Sequence, residues 1–122
     1  MRIYKIDNLN KNISLGLEED WIFLHYGRDW DYISKYKYLS YEFIERYAEF
    51  LNWSNISRCQ RLSVNFIEKY CDYINWGYIS FAQKLSENFI ERHSNQVSWL
   101  SIYKYQDLSP EFKMKWSWTV KY

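Results

Sequence analysis

Glycine and proline are scarce, three and one in 122 residues. That shortage argues against an all-β sandwich, whose many turns need both residues, and against a glycine-rich phosphate loop. Cysteine is scarce too. Cys59 and Cys71 are too few for a disulfide framework, so both are expected to be reduced, small apolar side chains. No apolar run approaches a bilayer span, and the start, MRIYKIDNLNKNI, lacks the continuous apolar core of a signal peptide, so the expected location is the cytosol, with no membrane partner. A formal charge of +1 excludes a global field that would draw the chain to nucleic acid, so any electrostatic partner must be read locally.

Aromatic side chains, by contrast, are abundant. Seven Trp, 13 Tyr and seven Phe make up 22% of the chain, while 48% hydrophobic and 25% charged residues give the balance of one globular domain. A chain of this length buries an ordinary core without help from metals or disulfides.

The aromatics fall on a period. Leu39, Leu62, Leu85 and Leu108, each followed by Ser, are 23 residues apart, and so are Trp30, Trp53, Trp76 and Trp99. Full units run over 39–61 (LSYEFIERYAEFLNWSNISRCQR), 62–84 (LSVNFIEKYCDYINWGYISFAQK) and 85–107 (LSENFIERHSNQVSWLSIYKYQD). A degenerate unit at 17–38, which matches if one residue is deleted before Asp29, precedes them, and a truncated unit at 108–122 puts Tyr122 at the Trp slot. Residues 1–16 fit poorly and read as an irregular cap in which RIYKI is a short strand or irregular chain.

Each unit reads as two short helices. The first opens at Ser40, Ser63, Ser86 or Ser109, whose hydroxyls suit an N-cap, and Pro110 suits the first helical position. Phe43, Ile44 and Tyr47 then share a face with Leu39, while Glu45 and Arg46 point away. The second opens at Asp29, Asn52, Asn75 or Ser98, with buried stripes Trp53, Ile56, Cys59 and Trp76, Ile79, Ala82. Neither helix is stable alone. The fold class expected is all-α, a short α-solenoid of stacked two-helix repeats.

The wording LSENFIE, followed by NW or a near-equivalent, YIS and a Gln-Lys ending, resembles tandem repeats in poorly characterised proteins of giant DNA viruses and bacteriophages. The resemblance covers about residues 29–109 and departs at Trp21, in place of Phe, and at Lys113, in place of Ile. It implies a viral or mobile-element origin and a helical scaffold, and carries over no catalytic residue. By analogy of context, small phage proteins of this size act as stoichiometric inhibitors of host defence enzymes, anti-CRISPR proteins among them.

Candidates for chemistry are few. His93 holds the slot of Tyr47, Tyr70 and Trp116 and reads as a packing position; neither it nor His25 has a metal-ligand neighbour at suitable spacing. Glu45, Glu68 and Glu91, beside Arg46, Lys69 and Arg92, read as a solvated salt-bridge ladder rather than a catalytic carboxylate pair, because repeated slots give them identical environments. No catalytic residue, metal or cofactor is therefore assigned.

Slots that vary between units are more informative, since packing does not dictate them. Phe50 and Tyr73 share a slot with Gln96; Tyr32 and Tyr78 alternate with Asn55 and Ser101; Phe81 stands where Lys35, Arg58 and Lys104 stand; and Tyr41 shares with Val64 and Glu87. If exposed, these aromatics form a protein-binding patch; the plainer reading has them cover grooves between units. Glu18, Glu19, Asp20, Asp29 and Asp31 against Arg28 give residues 17–31 a net charge of −4, and residues from 104 onward carry +2. The acidic end fits a basic nuclease groove, or is an ordinary solvated cap. The function expected is non-enzymatic binding of a host protein, such as a nuclease or defence complex. Single-stranded nucleic-acid binding is the alternative, and self-association through an incompletely capped end a third.

Overall fold

The computed structural model describes residues 15–36 and 38–119, and every regular element among them is helical. In chain order these are α1 (Leu15–Tyr26), α2 (Trp30–Lys35), α3 (Tyr41–Arg46), α4 (Trp53–Cys59), α5 (Val64–Lys69), α6 (Trp76–Ala82), α7 (Glu87–Arg92), α8 (Trp99–Tyr105) and α9 (Pro110–Lys115). A 3-10 turn at Ser117–Thr119 follows. RIYKI and Tyr122 lie outside the described residues. Packing divides the chain between Gln60 and Arg61 into two compact units.

The caps explain where the short helices begin. Ser40, Ser63, Ser86 and Ser109 each accept the backbone N–H three residues on, at 3.0–3.2 Å. Asp29, Asn52 and Asn75 do the same for α2, α4 and α6, whereas Ser98 turns its hydroxyl to Ser101 instead. In the first unit, α1 departs from the expected boundary at residue 17. It is one continuous helix of 12 residues, because LGLEEDWIFLHY has no proline and its glycine, Gly16, sits in the first turn, and it stops where Gly27 takes a left-handed φ of 59°.

Ile22, Ile33, Leu39, Phe43, Ile44, Leu51 and Ile56 form the core of the first unit. The second is built on Phe66, Ile67, Ile74, Ile79, Leu85, Phe89, Ile90, Val97, Ile102 and Phe112. The expected stripes are only partly buried: Ile56 and Ile79 are inside, but Trp53, Trp76 and Cys59 are half-buried and Ala82 is exposed. A seven-residue helix makes two turns, so its last stripe position already rotates towards water.

Buried polar side chains tie the helices together. Ser34, Ser57 and Ser80 are completely buried. Ser34 Oγ donates to the Trp30 carbonyl at 2.6 Å and accepts the Asn52 N–H at 2.8 Å. Ser80 repeats this with Trp76 and Ser98 at 2.7 and 2.9 Å. One hydroxyl thus joins its own helix to the start of the next, whose N-cap N–H would otherwise be left unpaired. Gln60 Nε2 donates to the Ser34 and Tyr36 carbonyls, and Gln106 Nε2 to those of Ser80 and Gln83, while Gln83 and Gln106 Oε1 accept the Leu62 and Leu85 N–H groups.

Candidate interaction surface

α6 and α8 lie side by side in the second unit. Gly77, Phe81 and Ala82 on α6, with Leu100, Lys104 and Tyr105 on α8, are exposed, while Tyr78 and Ser101 are half-buried. Their spacing of three and four residues puts them on the outer side of each helix, opposite Ile79 and Ile102 in the core. The rings join: Tyr78 and Phe81 centroids are 5.8 Å apart at 70°, and Phe81 and Tyr105 are 5.7 Å apart at 51°. Lys104 Nζ stands 5.4 Å from the Tyr105 centroid. Leu100 is 71% exposed and Tyr105 56%, so a sizeable apolar area faces water.

The same slots in the first unit are filled differently. α2 presents Asp31, Tyr32 and Lys35, and α4 presents Ser54, Asn55 and Arg58. One backbone plan therefore carries polar residues and Tyr32, which lies 5.2 Å from Tyr26, in one unit, and in the other adds Phe81, Leu100 and Tyr105 where the first has Lys35 and Arg58, Asp31 and Ser54, and Tyr36 and Cys59. Packing cannot have dictated that difference.

The remaining aromatic candidates lie elsewhere. Phe50 is 58% exposed and stacks on Trp30 at 5.3 Å; Tyr73 is 51% exposed and meets Tyr70 edge-on at 5.8 Å. Both lean on the aromatic columns that bind successive helices, such as Trp30 with Tyr47 and Trp99 with Trp116. Tyr41 is exposed at the first position of α3. Of the six aromatics singled out by sequence, Tyr78 and Phe81 are in ring contact with each other, Tyr32 meets Tyr26 in the first unit, and Tyr105 is the neighbour of Phe81 that sequence comparison missed.

The acidic candidates do not make one surface. Glu18 is fully buried, and its carboxylate accepts the Ser40 N–H at 2.7 Å and the Ser40 hydroxyl. It is withdrawn from the acidic patch because it caps α3, as Glu87 caps α9 through Ser109. Burial raises the Glu18 carboxyl above its ordinary range despite the Ser40 hydrogen bonds. Glu19 is half-buried against Arg46, Asp29 caps α2, and Asp31 accepts the Asn52 side-chain amide at 2.9 Å. Asp20 is exposed. Four of the five acids are thus engaged within their own unit.

The expected salt-bridge ladder pairs differently from the adjacent residues in sequence. Glu68 takes Arg92 at 2.6 Å and His93 Nε2 at 3.0 Å; Glu91 takes Lys115 at 3.1 Å and Trp116 Nε1 at 3.4 Å. Partial burial opposes ionisation of Glu68, but the hydrogen bonds and charges of Arg92 and His93 outweigh it and hold the carboxyl below its ordinary range. Hydrogen bonds from Lys115 and Trp116 do the same for Glu91.

His93 packs between Trp76 and Phe89, at 4.9 and 4.6 Å, as its slot requires. Its Nδ1 also lies 2.9 Å from Gln96 Oε1. The aromatic slot and its neighbour have changed together, from Tyr70 with Tyr73 to His93 with Gln96.

Among the described residues no cluster of metal-ligating side chains occurs, and no helix is long and apolar enough to cross a membrane. Cys59 and Cys71 are free and half-buried. No family model, curated protein or solved structure matches the chain.

Proposed function

We propose that the chain is a non-enzymatic binding module, a short α-solenoid of 23-residue two-helix repeats that docks a protein partner through the outer face of α6 and α8. The observation that carries this reading is the contrast between equivalent slots: Tyr78, Phe81 and Tyr105 stand where the first unit has Tyr32 and Asn55, Lys35 and Arg58, and Tyr36 and Cys59. Exposed Tyr and Phe are the side chains that most often anchor protein interfaces. The viral resemblance supplies the context, a phage or viral protein that inhibits a host nucleic-acid-processing defence enzyme by stoichiometric binding. With the acidic candidates mostly engaged internally, the aromatic face rather than the acidic end makes that contact.

The test is affinity capture from bacterial lysate with and without nuclease, repeated with Tyr78→Asn, Phe81→Lys and Tyr105→Ala combined. Each of these replacements already occurs at the same slot in another repeat, as Asn55, Lys104 and Ala82. A discrete protein that survives nuclease and is lost with the triple variant is the expected result. Lys104 beside Tyr105 favours a second reading, single-stranded nucleic-acid binding, in which the captured material disappears on nuclease digestion.

A further inference from the structure

Resting on that docking reading, we infer that the α6/α8 face takes a short acidic segment with large apolar anchors, not the broad surface of a globular partner. Size is the first argument. Both helices have seven residues, a length of about 10 Å at 1.5 Å per residue. Neighbouring helix axes stand about 8–10 Å apart, so the face spans roughly 10 by 20 Å, far below the ~800 Å² per partner of a stable globular interface. One or two turns of helix, or a similar length of extended chain, would cover it.

Charge is the second argument. Glu68, Glu87 and Glu91 in this unit are held by Arg92 and His93, by Ser109, and by Lys115. Lys104 on the face and Lys84, two residues past the end of α6, are exposed and have no carboxylate partner among the described residues. Asp107, three residues past Lys104, and Glu87, three past Lys84 and held by Ser109, are the acidic side chains nearest in sequence. Lys113 on α9 is a further such cation, but Lys104 and Lys84 are the two on the apolar strip or next to it in sequence, and complementarity asks for carboxylates flanking the anchors of the ligand.

Nucleic acid is the less favoured occupant. Phe81 meets its neighbours at 70° and 51°, so the rings are tilted into a ridge and do not form parallel platforms. Leu100 and Ala82 add aliphatic surface, which suits side chains better than bases.

A displayed library of random 12-residue peptides, selected on the immobilised full chain, tests the inference. Enriched peptides should combine Asp or Glu with Leu, Phe or Trp. They should bind at least tenfold more weakly to Phe81→Asp, several-fold more weakly to Lys104→Glu, and more weakly as salt rises. Failure to enrich any peptide, enrichment of peptides without acidic residues, or equal binding to Phe81→Asp would overturn it. So would tighter binding of an oligothymidine probe at the same face. If the nuclease-resistant partner is still lost with the triple variant while no peptide is enriched, the docking face stands and the segment chemistry alone fails.

Discussion

The Gln106 side-chain amide donates to the Gln83 backbone carbonyl at 2.7 Å, a bond between residues 23 apart. Gln106 also donates to Ser80 and accepts from Leu85, so one half-buried polar side chain satisfies three backbone groups on other turns of the chain. Leaving a buried backbone group unpaired costs about 1–3 kcal/mol. Helices of six or seven residues have little intrinsic stability to set against such a loss.

Gln83→Leu fills the same volume but leaves the Leu62 N–H without its acceptor. The variant is expected to lose about 1–3 kcal/mol in urea unfolding, and Gln83→Glu, which keeps an acceptor oxygen, to lose less at low pH. Equal stability of Gln83→Leu and the parent would remove the clamp from this account.

Ser34→Ala deletes a single oxygen yet affects both Trp30 and Asn52. The Trp30 carbonyl keeps other options within its helix, but the Asn52 N–H at the start of α4 does not. A loss of about 1 kcal/mol or more is expected, against a few tenths for an exposed serine such as Ser117.

Glu18 makes stability depend on pH in an unusual direction for a carboxylate. Burial raises its folded value above the ordinary 4.5, so the folded chain keeps this proton to higher pH than the unfolded chain. Its contribution is complete below the ordinary value and is lost as pH rises through the raised one. Glu18→Gln keeps an acceptor for the Ser40 N–H without ionising. The stability of the parent relative to Glu18→Gln should therefore fall across that interval; a pH-independent difference would contradict the assignment.

Glu68 behaves in the opposite sense. Arg92 and His93 hold its folded value below 4.5, so its contribution is present above that pH and lost as pH falls through the lowered value. In Arg92→Gln the acid-side loss should begin at higher pH. At neutral pH the change should stay below about 1 kcal/mol, because this is a surface pair. Acid titration followed by tryptophan fluorescence reads both.

Much of the local structure was legible in the sequence because caps and apolar residues recur together. Ser40, Ser63, Ser86 and Ser109 mark helix starts by side-chain chemistry alone, and Phe43 and Ile44 are buried at the spacing that marks one face. The roles of Gln60, Gln83 and Gln106 were not read, although the signal was present: an uncharged polar residue that returns every 23 positions points to a recurring hydrogen-bonding role. Glu18 misled because an acidic side chain in an EED run reads as solvated, and only the approach of Ser40 shows otherwise. Tyr105 was missed because its slot also holds Tyr36, Cys59 and Ala82, and the contact with Phe81 crosses between helices.

The proposed division, recurring slots for the fold and varying slots for binding, is tested most directly by comparing the combined Tyr78→Asn, Phe81→Lys, Tyr105→Ala variant with Gln83→Leu, in urea unfolding and in binding to the captured partner. The triple variant should keep the parent's unfolding midpoint within experimental scatter and lose the partner, while Gln83→Leu should unfold at lower urea and, where folded, still bind. A triple variant that unfolds as early as Gln83→Leu, or that binds as the parent does, would contradict this division.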